Sequence, residues 1–278
     1  MSNQLPIGVF DSGIGGLTVL KALMQRMPQE RFLYLGDTAR LPYGTKTAET
    51  VERYALQAVG ALVRRGVKAV VVACNTASAA ALPALMARYP ELPVIGVIEP
   101  GAAAAVAATR TGRIAVIATE GTVRGGAYQR EILERLPHAE VAAIAATLFV
   151  ALAEEGWTEG DLALAAARRY LAPLFADPAA APDVLVLGCT HFPPLAGVIG
   201  EVAGVEVGIV DSALTTAGAV EQVLRTRGIG TDLVAGGARF LVTDGEDRFA
   251  RVGPGFLGRP ISLSEIERLD LANPLPPH

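Results

Sequence analysis

The chain carries two cysteines, and both stand in the same local setting. Cys74 closes the run Val70-Val71-Val72-Ala73 and is followed by Asn75-Thr76; Cys189 closes Val184-Leu185-Val186-Leu187-Gly188 and is followed by Thr190-His191. Short apolar runs of this kind predict strands buried on both faces of a parallel sheet, and a helical pattern follows each one soon afterwards. Each thiol is therefore expected where a strand ends and a helix begins. In open α/β sheets ligands bind just beyond the carboxyl ends of the strands, beside the free N–H groups of helix N-termini. Two facing thiols suit the inversion of a carbon that bears a hydrogen, because a base must remove the proton from one face while an acid returns one to the other. A free thiol ionises near pH ~8.5, and a helix N-terminus or a cation lowers this, so a fraction is thiolate at neutral pH.

Other readings of the pair explain less. A lone cysteine packs as a small hydrophobe, but that does not account for a matched pair. The start, MSNQLPIGVF, has neither a basic n-region nor a long apolar stretch, so the expected compartment is the cytoplasm, where disulfides are rare. No C-x-x-C is present, and His138 and His278 lie outside any ligand motif, so no metal is expected. Near the thiols, His191 sits two residues beyond Cys189 and can tune it or relay its proton. Asp11, at the end of the first predicted strand, can do the same beside Cys74. Glu154, which follows the apolar stretch from Val141 to Ala153, is a further candidate that composition does not separate from Glu155.

The elements that must position these groups follow an alternating βα order. Ile7 to Phe10 reads as a strand, and Asp11-Ser12-Gly13-Ile14-Gly15-Gly16 as a glycine-rich turn into a helix near Leu17 to Met27. Gly13-x-Gly15 opens a dinucleotide fingerprint, and Asp37 stands where a ribose-binding acid would. However, Thr18 replaces the third glycine, and Asp11 would oppose a pyrophosphate, so a smaller anion is the expected occupant. Strands at Phe32 to Leu35 and Val94 to Val97, with helices near Thr47 to Arg65 and Ala77 to Ala87, complete a first unit around the Cys74 strand. A second series then begins: a strand at Ile114 to Ala118, a helix at Val123 to Leu136, a strand at Val141 to Ala145, a helix at Leu162 to Ala176 strained by Pro173, and the Cys189 strand. The recurrence predicts two pseudo-symmetric, doubly wound α/β domains with the active site in the cleft between them. Residues 1–97 with 208–278 are assigned to the first domain and 98–207 to the second, the C-terminal segment packing back and its Pro- and Gly-rich tail fraying.

Bulk properties set limits on function. With 278 residues, 51% of them hydrophobic, the chain has ample core for two modest domains. A net charge of −4 argues against nucleic acid as the main partner, and no apolar run is long enough to span a bilayer. A soluble protein is expected, with a homodimer allowed but not required by any pattern.

The motifs in their order carry a family resemblance. Phe10-Asp11-Ser12-Gly13-Ile14-Gly15-Gly16, Asp37 with Leu41-Pro42-Tyr43-Gly44, Ala73-Cys74-Asn75-Thr76-Ala77-Ser78, Glu99-Pro100, Gly121-Thr122 and Gly188-Cys189-Thr190-His191 resemble the glutamate racemases of the cofactor-independent aspartate/glutamate racemase superfamily. The resemblance spans roughly residues 7 to 215. It implies interconversion of L- and D-glutamate without pyridoxal phosphate or any other cofactor, supplying D-glutamate for peptidoglycan and hence for cell-wall biogenesis and cell shape. On matching positions it makes Cys74 and Cys189 the two acid/base residues, with Asp11 assisting the first and His191 and Glu154 the second. It assigns Ser12, Tyr43, Gly44, Asn75, Thr76, Thr122 and Thr190 to the substrate's carboxylates and ammonium. The segment from Ala146 to Glu154 lacks the prolines usual there, so Glu154 is aligned through Phe149-Val150 and the following Glu-Glu-Gly. Two alternatives remain. An aspartate racemase of the same superfamily usually has an acidic residue in the place of His191, and a two-lobed amino-acid sensor would have no use for two strand-end cysteines.

Overall fold

The computed structural model describes residues 3–271. The first half alternates strands and helices: β1 (Ile7–Asp11), α1 (Leu17–Arg26), β2 (Arg31–Gly36), α2 (Ala48–Arg64), β3 (Ala69–Val72), α3 (Asn75–Arg88), β4 (Val94–Gly96) and α4 (Ile98–Ala108). The second series follows with β5 (Arg113–Ala118), α5 (Glu120–Gly125), α6 (Ala127–Arg135), β6 (Glu140–Ala145), α7 (Leu148–Glu154), α8 (Gly160–Leu171), β7 (Val184–Gly188), α9 (Ala196–Ala203) and β8 (Gly208–Asp211). The chain closes with α10 (Ser212–Arg227), β9 (Gly237–Val242), α11 (Glu246–Val252), α12 (Pro254–Leu257) and β10 (Ile266–Arg268).

The strands form two parallel sheets, ordered β10-β9-β2-β1-β3-β4 and β6-β5-β7-β8. The four-strand order second-first-third-fourth occurs in both, which is the repeat anticipated from the sequence. In both sheets the central strand pairs with the cysteine strand: β1 with β3 (Phe10↔Val72) and β5 with β7 (Ala118↔Gly188). All of Val70 to Val72 and Val184 to Leu187 are buried, as continuous apolar strands between helical layers must be. Cys74 and Cys189 therefore leave their sheets at equivalent strand ends.

The structure corrects several local expectations. Gly208–Asp211 pairs with β7 in the second sheet (Val184↔Gly208), so the chain returns to the first sheet after Asp211 and not at residue 208. Ladder partners are remote in sequence, and no local pattern encodes them. The helix expected from Val123 to Leu136 is split at Gly126, whose φ of 63° is left-handed and open to glycine at low cost. The helix near Pro173 ends at Leu171 and tightens into a 3-10 turn at Ala172–Phe175, because proline lacks the N–H that an α-helix needs there.

The C-terminal segment is ordered through α11, α12 and β10, and β9 extends the first sheet along β2 (Arg31↔Gly237). Residues 272–278 of the tail expected to fray lie outside the described residues. Phe249 of α11 is fully buried against Tyr34 and Phe240, which anchors the segment to the first sheet. Helix α10 packs on both α1 and α4 and so ties the return of the chain to both halves. Among the described residues no helix is long and apolar enough to cross a membrane.

Candidate active site

A cavity of about 290 Å³ opens where the carboxyl ends of the strands of both sheets converge. Ser12, Tyr43, Gly44, Cys74, Asn75 and Thr76 line it from the first half, and Glu154, Cys189, Thr190 and His191 from the second. Ten of the twelve residues singled out from the sequence thus border one space. The other two stand behind it: Asp11 is fully buried and Thr122 is 2% exposed.

The two thiols have different surroundings. Cys74 is the N-cap of α3: its sulfur accepts the Ala77 N–H at 3.4 Å, and its own S–H donates to Ser12 Oγ at 3.4 Å. Burial, reinforced by the Asp11 carboxylate, pushes this thiol up to about 12, so it holds its proton at neutral pH. Asp11 itself accepts the Gly13 N–H at 2.8 Å, and burial raises its pKa. The glycine turn thus spends a donor on its own carboxylate, which leaves it poorly suited to a pyrophosphate.

Beside Cys189 stands a cation. His191 Nδ1 lies 3.9 Å from Cys189 Sγ, and His191 Nε2 donates to Glu154 Oε1 at 3.0 Å. Burial alone would depress the imidazole, but its hydrogen bonds to Cys189 and Glu154 outweigh that and raise it to about 10. Burial likewise opposes ionisation of Glu154, and the bonds from His191 and Arg248 overcome it, leaving the carboxyl at about 2. Glu154, and not Glu155, makes these contacts. Arg248 of α11, which no motif marked, donates to Glu154 Oε2 at 2.9 Å from the segment expected to fray.

Hydroxyl and amide groups fill the remaining wall. Thr76, Thr119 and Thr122 form a triangle with Oγ1 separations of 2.9, 3.1 and 3.1 Å, so Thr122 sits beneath the two that face the cavity. The Tyr43 hydroxyl is committed to Asp37, which also binds Arg40 and Thr243, so that hydroxyl is occupied and the ring and backbone of Tyr43 are what it offers to the cavity wall. Burial and the Asp37 carboxylate raise the Tyr43 phenol well above its usual range. Gly15 lies so close to the opposite half that a Cβ there would fall 2.3 Å from His191 Nδ1 and 2.5 Å from Thr190 Oγ1. Thr18, in the place of a third fingerprint glycine, donates to the carbonyls of Gly15 and Thr190 at 3.0 and 3.1 Å. Sequence reasoning also missed Thr147, Val150 and Ala151, which α7 and its leading turn bring to the wall from inside an apolar stretch that Thr147 alone interrupts. No lysine or arginine appears among the lining residues, and among the described residues no group of three or more His, Cys, Asp or Glu side chains is placed to hold a metal ion.

Known proteins match the chain in sequence and fold over nearly its whole length. Residues 16–220 match the family model described as Asp/Glu/Hydantoin racemase. Glutamate racemase from Geobacter metallireducens is 52% identical over 257 residues, 91% of this chain and 92% of that protein. The crystal structure of glutamate racemase from Thermus thermophilus in complex with β-chloro-D-alanine matches with a TM-score of 0.88 at 43% identity, covering 98% of this chain and 99% of that one. That of the Francisella tularensis enzyme in complex with D-glutamate gives 0.90 at 34% identity, over 97% and 98% of the two chains. With sequence and fold agreeing over nearly the whole length, the chain belongs to the Asp/Glu/hydantoin racemase family, within its glutamate racemases, and is an isomerase.

Proposed function

We propose that this protein interconverts L- and D-glutamate without a cofactor, by two-base proton transfer between Cys189 and Cys74, and that the D-glutamate supplies peptidoglycan synthesis in the cytoplasm. The observation that carries this reading is one cavity bordered by two thiols in opposite electrostatic settings. In the L-to-D direction Cys189, as thiolate beside the His191 imidazolium, removes the α-proton. The resulting carbanion takes a proton on its other face from the Cys74 thiol. Cys189 is then a thiol and Cys74 a thiolate, and exchange of protons with solvent restores the starting state. The D-to-L direction runs the same steps backwards. The assignment of faces follows the family resemblance, and the electrostatics agree with it: the thiol held protonated is the one that must act as acid on L-glutamate.

Substrate binding relies on neutral donors. Ser12, Asn75, Thr76 and Thr190 line the cavity, with the backbone of Tyr43 and Gly44 and with Thr122 supporting Thr76. Such groups hold carboxylates without adding a full positive charge that would disturb the thiols. In this reading two domains close on glutamate: one built on residues 1–97 with the C-terminal segment, the other on the stretch between, and neither nucleic acid nor a membrane takes part. The test is circular dichroism of L-glutamate incubated with purified protein after dialysis and chelation, with L-aspartate in parallel. Loss of the glutamate signal to zero is expected. A signal that stays constant, or one lost only for aspartate, overturns the assignment.

A further inference from the structure

Asn75 begins α3, lines the cavity and is 3% exposed. The two ends of its amide are treated unequally. Oδ1 accepts a hydrogen bond from the Tyr128 hydroxyl at 2.8 Å, whereas Nδ2 is buried and has no partner. Tyr128 belongs to α6, in the second half, so this bond crosses from one half to the other.

The tyrosine is held in a slot made by two glycines. A Cβ on Gly101 of α4 would come within 3.2 Å of its hydroxyl oxygen, and one on Gly188 of β7 within 3.1 Å of its ring. Gly188 immediately precedes Cys189, so the phenol is seated against the strand end that delivers the second thiol. Tyr128 is 1% exposed, and burial raises its phenol above the usual range, so the hydroxyl keeps its proton and remains a donor.

Shape alone does not orient an asparagine. Turning the amide over exchanges oxygen and nitrogen with almost no change in volume, and only the hydrogen-bond partners decide which end is offered. Beside a carboxylate the choice matters, because N–H attracts the anion and a carbonyl oxygen repels it. We propose that Tyr128 is a positioning residue: by holding Asn75 Oδ1 it presents Nδ2 as a donor to a substrate carboxylate, and it does so only when the two halves are together. This rests on the glutamate reading above and extends it to a residue that no motif marked.

The experiment is steady-state racemisation by the full-length wild type, Tyr128→Phe, Asn75→Ala and the double variant, with KM and kcat read separately. Tyr128→Phe is expected to raise KM for glutamate roughly three- to tenfold, the range for weakening one bond to a charged group, with a smaller change in kcat. In the Asn75→Ala background the same substitution should leave KM unchanged, since Tyr128 then has nothing to orient. Effects that multiply would show a packing role and overturn the proposal, as would an unchanged KM in Tyr128→Phe. Should Tyr128→Phe not fold, Asn75→Asp decides: it keeps an acceptor for Tyr128 but loses Nδ2, and a KM equal to wild type would overturn the proposal. A wild-type chain inactive on glutamate overturns both readings, whereas an active one with unaltered Tyr128→Phe kinetics overturns this one alone.

Discussion

Cys74 and Cys189 occupy equivalent strand ends, and their neighbours make them chemically different. Burial and Asp11 keep Cys74 protonated, while the Glu154–His191 pair puts a cation beside Cys189. Replacing either cysteine with alanine should abolish net racemisation, because each turnover needs a base and an acid. In D2O the Cys189→Ala protein should still exchange the α-hydrogen of D-glutamate slowly, and the Cys74→Ala protein that of L-glutamate, as read by proton NMR. Near wild-type racemisation by either variant would remove the two-thiol mechanism; reversed exchange preferences would remove only the assignment of faces. The same residues make stability depend on pH. His191 titrates at about 10 when folded, against an ordinary value of 6.5, so the native state binds the proton more tightly than the unfolded chain. Its contribution is complete below 6.5 and is lost as pH rises towards 10. Glu154 is shifted the other way, from 4.5 to about 2, so its contribution is lost as pH falls through that range. The urea midpoint of wild type should therefore fall between pH 6.5 and 10 more steeply than that of His191→Asn; parallel slopes would contradict the ion pair.

At the scale of elements, the β1–α1 turn matters for what it leaves room for. Its glycines let the turn approach the loop after β7, and Thr18 ties the two together through the Thr190 carbonyl. Gly15→Ala would place a methyl group on the His191 ring, and the imidazole has to move. Displacing a catalytic group by about 1 Å costs roughly a hundredfold, so kcat/KM should fall by about that much, while overpacking costs about 1–3 kcal/mol of stability. Activity near wild type, or a protein that unfolds outright, would show that the turn is not the constraint described. On the other side, the Tyr43–Asp37 bond explains why the loop carrying Pro42 and Gly44 is more than a surface turn. It holds the tyrosine ring in the cavity wall from behind.

For the whole molecule, the site exists only where two halves meet, and several bonds cross between them. Thr18 reaches Thr190, Tyr128 reaches Asn75, and Arg248 reaches Glu154. The last of these joins the C-terminal segment, anchored on the first sheet by Phe249, to the carboxylate that orients His191. Arg248 is 42% exposed, so salt screens this pair more than it screens the buried His191–Glu154 contact. Arg248→Ala should lower kcat by up to about fivefold, the scale of a largely exposed ion pair worth at most about 1 kcal/mol, with stability little changed. Wild-type kcat should fall with added salt and that of the variant should not. An Arg248→Ala enzyme with full kcat and unchanged salt response would make the pair incidental.

Much of this was legible in the chain itself. Continuous apolar runs announced Val70 to Val72 and Val184 to Leu187 as buried parallel strands, and their order announced a repeated α/β architecture, because strand burial and βα alternation leave periodic marks in the sequence. The same marks placed Cys74, Cys189, Asp11 and His191 at strand ends or just beyond them, and the family resemblance supplied Glu154 and most of the cavity wall. Only the tertiary structure decided which distant groups meet. That β8 pairs with β7, that Arg248 braces Glu154 and that Tyr128 holds Asn75 all depend on contacts between residues remote in sequence. Even the bond from the Tyr43 hydroxyl to Asp37, a near neighbour in the chain, depends on how the loop between them is folded. Local residue pattern encodes which face of an element is buried; it does not encode what lies against that face. The electrostatic difference between two matching thiols combines a local neighbour, His191, with the remote Asp11 and Glu154, and it is complete only when these distant groups are packed together.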